Sequence, residues 1–415
     1  MPSAIAPWPL RNFYLPVLGP ENKHTGSDVR GLAIYVHWPF CLAKCPYCDF
    51  NSHVREDLGQ LDQQTWADAF VQDLHHDLAR LKKDAGPATS LFFGGGTPSL
   101  MEGQTVARVI DAINNDIGFS TDAEITLEAN PTSVEAARFQ DYVAAGVNRF
   151  SLGVQALRDD DLKSLGRQHS VAEALAAVEV ARKACENISF DLIYARAGQT
   201  LPDWQTELTE ALAFDPTHLS LYQLTIERGT QFFERWKQGD LVLPEEELAT
   251  DMFDLTNATC AAQGLQAYEV SNYARPGFES RHNISYWQSD PYIGIGPGAH
   301  GRLESDEGRI ATARVRSPEK WLARIKAQDH GVESVETLSG DVLVAEVLMM
   351  GLRLATGLSE TRFRDVTGKS FAEILPTDEL TDLMEGGFVT LDQNVLAVTS
   401  KGRNVLNAVT EKLLA

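Results

Sequence analysis

From Gly31 onward, short runs of β-branched and aromatic residues alternate with stretches in which apolar side chains recur every three or four positions. The runs GLAIYVHW (31–38), TSLFFGG (89–95), EITLEAN (124–130), VNRFSLGV (147–154), ISFDLIY (188–194) and HLSLYQL (218–224) predict six strands. The helical periods over 60–81, 104–117, 134–145, 171–185 and 204–214 predict the helices between them. A repeating strand–helix unit builds a parallel sheet with right-handed crossovers, and six units suffice for a partial (β/α)6 barrel. In such a barrel, functional groups gather where the strands end.

The pattern changes after Gly301. A mixed, polar stretch leads to a strongly apolar helix over 341–356, and EGGFVTLDQNVLAVTSKG (385–402) reads as strand, turn, strand before a closing helix over 403–414. That order predicts a small winged-helix-like α+β domain. The α/β chain therefore divides into a leader of Pro, Gly and Asn (1–30), a barrel with the segment that follows it (31–300), and a C-terminal domain (301–415).

Composition narrows the partners. The 415 residues are 43% apolar and 23% charged, enough to bury a large core. Lys and Arg number 36 against 58 Asp and Glu, a net charge of −22, which excludes nucleic acid as a natural partner. The winged region holds 14 basic against 18 acidic residues, so it lacks a phosphate-binding face. No run of about 18 apolar residues predicts an integral membrane segment. The first twenty residues lack the apolar core of a secretion signal, so a cytoplasmic location is expected.

Five cysteines are an odd number for a disulfide framework, and Cys41, Cys45 and Cys48 crowd into eight residues directly after the first strand. The spacing C-x3-C-x2-C suits an iron–sulfur cluster, or a zinc completed by His37 or His53. Three thiolates on a four-iron cluster leave one iron open to a small molecule bearing an amine and a carboxylate, as S-adenosylmethionine does. Gly94-Gly95-Gly96-Thr97-Pro98 at the end of the second strand would let backbone approach a ligand closely, or would simply make a tight turn. Glu128, Gln155, Arg167 and Asp191 are polar residues in apolar surroundings: two end the third and fourth strands, Arg167 lies in the next helix, and Asp191 is in the fifth strand. Beyond the barrel, His282-Asn283-Ile284-Ser285-Tyr286-Trp287 joins an imidazole to two flat aromatic rings; it reads as a buried aromatic cluster or as a porphyrin site.

The segment YVHWPFCLAKCPYCDF (35–50) resembles the signature of the radical S-adenosylmethionine superfamily, and over 31–415 the chain is similar to the HemW type of haem chaperone, a relative of oxygen-independent coproporphyrinogen III dehydrogenase. The resemblance implies a [4Fe–4S] cluster on Cys41, Cys45 and Cys48. It also implies S-adenosylmethionine held by Tyr35, Gly95, Gly96, Thr97, Glu128, Gln155, Arg167 and Asp191, with Arg167 pairing the cofactor carboxylate. His282, as iron ligand, with Tyr286 and Trp287 matches the H-N-x-x-Y-W segment associated with haem. The implied function is haem binding and delivery to an acceptor apoprotein, with no catalytic residue assigned. The alternative is radical decarboxylation in porphyrin biosynthesis, but the dehydrogenase carries a further cysteine where this chain has Phe50. A second departure is Ala195-Arg196-Ala197, where the family has Gly-Leu-Pro. Arg196 is expected either to face solvent or to alter access at the barrel mouth.

Overall fold

A computed structural model describes residues 31–82 and 85–414; the leader expected over 1–30 lies outside the described residues. The six predicted strands form, as β1 (Leu32–Trp38), β2 (Ala88–Gly95), β3 (Phe119–Ala129), β4 (Arg149–Gln155), β5 (Asn187–Tyr194) and β6 (His218–Gln223). They pair in parallel in chain order. β3 starts five residues earlier than its apolar run, because Phe119 pairs with Ala88 although the first residues carry little buried apolar surface.

The intervening helices are α1 (Gln63–Leu78), α2 (Gly103–Asp116), α3 (Phe139–Ala144), α4 (Val171–Ala184) and α5 (Leu201–Leu212). Their starts follow local chemistry: Ser170 and Glu173 form a capping box at α4, and Thr200 and Asp203 form one at α5. The helix predicted over 134–145 is broken before α3. Glu135 and Arg138 both reach back to the Ser99–Leu100 turn, through Ser99 Oγ and the two backbone carbonyls, and this pulls the chain off the helical path.

The sheet extends past these six strands at both ends. After helix α6 (Glu246–Ala262), the short β7 (Gln266–Ala267) and β8 (Asn272–Ala274) pair antiparallel beyond β6. Helix α7 (Arg281–Trp287) then leads to β9 (Tyr292–Ile295), which lies parallel to β1. β10 (His300–Ser305), β11 (Gly308–Arg314) and β12 (Val332–Thr337) follow antiparallel, and α8 (Pro318–Gln328) joins the last two. The order β12-β11-β10-β9-β1-β2-β3-β4-β5-β6-β8-β7 leaves two edges, so the barrel is open. The sheet thus runs across residue 301 without a break.

A second apolar cluster begins at Leu343 on α9 (Gly340–Gly351) and includes Phe363, Phe371, Leu396 and Leu406. Its strands are β13 (Leu358–Ser359), β14 (Val389–Asp392) and β15 (Val395–Val398), the last two joined by a turn with Gln393 and Asn394 at positive φ. This small domain is tied to the barrel by Arg362 on Asp290 and the Gln288 carbonyl, and by Arg302 on Glu346 at 2.8 Å. Among the described residues, no helix is long and apolar enough to cross a membrane.

Candidate functional site

The cysteine loop leaves the C-terminal end of β1. Phe40–Cys41 pairs with His53–Val54, which closes the loop at its base. His37 holds it from below: Asn51 O can only accept, so His37 Nε2 donates to it (3.0 Å) and Nδ1 accepts from the Tyr35 hydroxyl (3.0 Å). Burial brings the His37 pKa down to about 4. Asn51 in turn donates to the carbonyls of Pro297 and Arg316, each at 2.9 Å. Both nitrogens of His37 are therefore committed, whereas His53 keeps a buried Nε2 without a partner. Among the described residues, no three His, Cys, Asp or Glu side chains are grouped closely enough to hold a single metal ion.

Each thiol has its own polar neighbour. The Thr97 hydroxyl donates to Cys41 Sγ at 3.4 Å, Arg167 Nη1 to Cys45 Sγ at 3.4 Å, and Cys48 Sγ lies 3.7 Å from Ser52 Oγ. Burial pushes the Cys41 thiol up to about 11, with Thr97 opposing. Asn130 bridges the first two contacts: its amide donates to Thr97 Oγ1 (3.3 Å) and its oxygen accepts from Arg167 Nη2 (2.6 Å). A continuous network thus joins Cys41 to Cys45 through Thr97, Asn130 and Arg167. Sequence reading missed Asn130, which stands one residue beyond β3.

Arg167 lies three residues beyond the short helix Asp159–Ser164, not inside it as expected. Its guanidinium also donates to Gly153 O at 2.9 Å. A Cβ at Gly153 would stand 2.9 Å from Gln155 Nε2 and 3.3 Å from Arg167 Nη2, so this glycine makes room for both. Gln155 itself takes a positive φ of 73°, a strained position for a residue with a side chain.

The glycines at the end of β2 make close contacts with the protein itself. Gly95 N donates to Glu128 Oε2 (3.2 Å), Gly96 N to Trp38 O (2.7 Å) and Thr97 N to Phe40 O (2.9 Å), so these amides are occupied within the protein. Gly95 has φ +114°, and a Cβ there would lie 2.7 Å from the His37 ring; one at Gly96 would lie 2.6 Å from Phe40 O. The turn is glycine-rich because the cysteine loop is pressed against it.

Tyr35, Glu128 and Asp191 line a cavity of about 200 Å3 inside the barrel, together with Arg149, His282 and Tyr286. Arg149 is paired with Glu124 at 3.3 Å. Burial and the nearby Asp191 raise the Glu128 carboxyl to about 8, and burial raises Asp191 to about 6, although Ser151 and Ser220 donate to it. Among the described residues, Glu128 accepts a hydrogen bond only from the Gly95 amide. Gly95, Gly96, Thr97, Gln155 and Arg167 do not line this cavity: they gather around the cysteine loop.

His282 is 2% exposed, and both of its nitrogens are engaged, Nδ1 by Ser90 Oγ at 3.0 Å and Nε2 by Tyr286 Oη at 2.8 Å. Its ring stacks on Phe92 with centroids 4.9 Å apart, and burial lowers its pKa to about 3. Ligation of iron through Nε2 requires the Tyr286 hydroxyl to leave. A second, larger cavity of about 790 Å3 adjoins the first: Tyr222, Asn272, Asn283 and Tyr286 line both, while Trp287, Glu269, Arg353 and Arg403 line the second. None of Arg149, Arg353 or Arg403 was singled out in the sequence, since nothing nearby in the chain marks them.

Arg196 follows neither expectation. It is 5% exposed and pairs with Glu207 (2.6 Å) and Asp161 (2.7 Å), lining neither of these cavities. The guanidinium clips β5 to α5, and Ala195 carries the positive φ (55°) that the family's glycine would adopt without strain.

The radical SAM superfamily model matches residues 35–209 and the HemN C-terminal domain model matches 338–405. The chain is 38% identical to "Radical S-adenosyl methionine domain-containing protein 1, mitochondrial" of Danio rerio, covering 92% of this chain and 86% of that protein. It is 36% identical to "Heme chaperone HemW" of Escherichia coli, covering 92% and 98%, and 32% identical to that of Bacillus subtilis, covering 90% and 97%. Among solved structures, coproporphyrinogen III oxidase (HemN) of Escherichia coli superposes with a TM-score of 0.76 at 22% identity, covering 92% and 90% of the chains, a likeness of fold.

Proposed function

The chain belongs to the radical S-adenosylmethionine superfamily and, within it, to the group of the HemW haem chaperones, and on that premise we propose that it binds haem and passes it to an acceptor apoprotein. The observation that carries this reading is the similarity to the Escherichia coli chaperone over 98% of that protein's length. Phe50 supports it, standing 58% exposed where the dehydrogenase relatives place a further cysteine. All five cysteines are free, which suits the reducing cytoplasm as its compartment.

In this reading Cys41, Cys45 and Cys48 hold a [4Fe–4S] cluster and the barrel cavity lined by Tyr35, Glu128 and Asp191 takes S-adenosylmethionine. The donor set fits: three soft thiols with hydroxyl and guanidinium donors aimed at two of them, and two buried carboxylates in need of positive charge. When bound, the cluster supplies an electron able to cleave the cofactor's sulfonium bond. Glu128 and Asp191 would hold the cofactor through its ammonium and ribose hydroxyls, and Arg167 would stabilise the thiolate of Cys45. Tyr35, held by His37, closes the cavity floor. The haem site lies at α7, with Tyr286 and Trp287 presenting their faces and His282 as the iron ligand.

The test is an anaerobic haem titration of cluster-reconstituted protein, followed by absorbance, with iron and sulfide analysis alongside. Saturable, near-stoichiometric binding that weakens in His282→Ala is expected. Equal binding by the variant would move the ligand off His282. An absence of binding would overturn the chaperone reading and make porphyrinogen turnover the next assay. Zinc in place of iron and sulfide would overturn the cluster.

A further inference from the structure

Haem is a large flat ring with an apolar body and two carboxylate arms, and the molecule offers two spaces near α7. Ligand sites usually measure about 300–1,000 Å3. The barrel cavity behind His282, at about 200 Å3, is already assigned to S-adenosylmethionine, and the groove that adjoins it, at about 790 Å3, lies within that range. The groove is built from the β7–β8 connection, from α7, and from Arg353 and residues 403–408 of the small domain.

Its chemistry is unbalanced. Trp287 lies in its wall with a buried Nε1 that has no partner. The Arg353 guanidinium sits 5.8 Å over the Trp287 ring and donates only to the Met349 carbonyl. Arg403 is half-buried and lies where burial disfavours its charge. Among the described residues neither arginine has a carboxylate within ion-pair reach, in a chain of net charge −22 where Arg302, Arg309, Arg314 and Arg362 are all paired. The one carboxylate in the wall, Glu269, is turned to its own loop: Oε2 accepts from Val270 N, and Oε1 accepts from Ser271 N and from the Asn272 amide. Arg403 feels the Glu269 charge without making an ion pair with it, so two guanidinium groups facing a space beside a tryptophan leave room for an incoming anion.

We infer that Arg353 and Arg403 are the carboxylate-recognising residues of the cargo site: they take the two propionates of a tetrapyrrole whose ring lies against Tyr286 and Trp287, and His282, which lines the barrel cavity and not this groove, reaches the iron only once the Tyr286 hydroxyl has left it. The inference rests on the haem reading above. A planar guanidinium meets a carboxylate in a bidentate, charge-assisted pair, which gives orientation as well as affinity. Both arginines belong to the small domain while the aromatic residues belong to the barrel, so the cargo bridges the two.

The test compares iron protoporphyrin IX with its dimethyl ester, whose propionates carry no charge, on the cluster-reconstituted full chain. The intact protein is expected to bind the free acid at least about tenfold more tightly than the ester. Arg353→Gln and Arg403→Gln should each lose most of that preference while keeping affinity for the ester, and Arg403→Lys should recover part of it. Equal binding of acid and ester by the intact protein would overturn the inference even if haem binding itself stands. A protein that binds neither would fail on the haem reading, and the inference would fall with it. The ester comparison needs no variant, so misfolding of a substituted chain leaves the answer intact.

Discussion

The surroundings of the cysteine loop and the groove beside α7 differ in how their polar groups are satisfied. Around the cysteine loop most donors and acceptors have a partner inside the protein, with His53 Nε2 and Arg167 Nε as exceptions: His37 is held at both nitrogens, and Arg167 binds Cys45, Asn130 and Gly153. In the groove, among the described residues, Trp287 Nε1 has none, Arg403 has no carboxylate in ion-pair contact, and Arg353 has a carbonyl and a ring face. A pre-satisfied shell costs nothing to keep rigid and suits a resident cofactor held in one geometry. An under-satisfied groove is stable enough without its ligand yet gains on binding, which suits cargo that must also leave.

The largest expected effect sharpens this contrast. Replacing any one of Cys41, Cys45 or Cys48 by Ala should remove nearly all bound iron and sulfide, read by metal analysis and by loss of the cluster's visible absorbance, while far-ultraviolet circular dichroism stays unchanged. The converse variant is Asp73→Ala. Asp73 is fully buried and accepts from Arg314 Nε (3.3 Å), Trp321 Nε1 (3.2 Å), Gly296 N (3.1 Å) and Gly331 N (2.9 Å). Its removal leaves a buried guanidinium short of a partner, so urea unfolding should show a loss of about 3–5 kcal/mol.

Next in size is a pH effect confined to the cofactor side. The folded Glu128 pKa of about 8 lies above the ordinary 4.5, so the folded chain holds that proton more tightly than the unfolded one. The stability this contributes is complete below about pH 4.5 and is lost as pH rises toward 8. Between about pH 7, above the Asp191 value of about 6, and pH 8, cofactor-free protein should lose stability with a slope of at most about 1.4 kcal/mol per pH unit. Glu128→Gln should flatten that slope in urea titrations; an unchanged slope would place the titration elsewhere. The smallest effect is expected for Thr97→Val, which removes the donor to Cys41 and the acceptor for Asn130. It should cost about 1 kcal/mol and speed iron loss to a chelator severalfold.

How much was legible follows from the range over which each signal acts. The six parallel strands and their helices appear in the chain because each is buried on a regular face and the period survives in the residues. β10 to β12 were read as mixed polar chain. β12 exposes most of its residues, and β11 turns Arg314, fully buried on Asp73 and Asp77, into the core where an apolar residue was the natural expectation. Period alone cannot announce an arginine that is neutralised by a helix more than two hundred residues earlier.

The sequence by itself determined the cysteine triplet, its loop after the first strand, the strand-end polar residues and the family they signal, because those features are local in spacing or repeat with a fixed period. The tertiary structure decided what each residue touches. It committed the amides of Gly95, Gly96 and Thr97 to the protein, turned Arg196 inward as a clip, and enclosed His282 between Ser90 and Tyr286. It also brought Arg353 and Arg403 to the same groove as Trp287. Burial and charge pairing are sums over neighbours brought together by folding, and no window along the chain contains them.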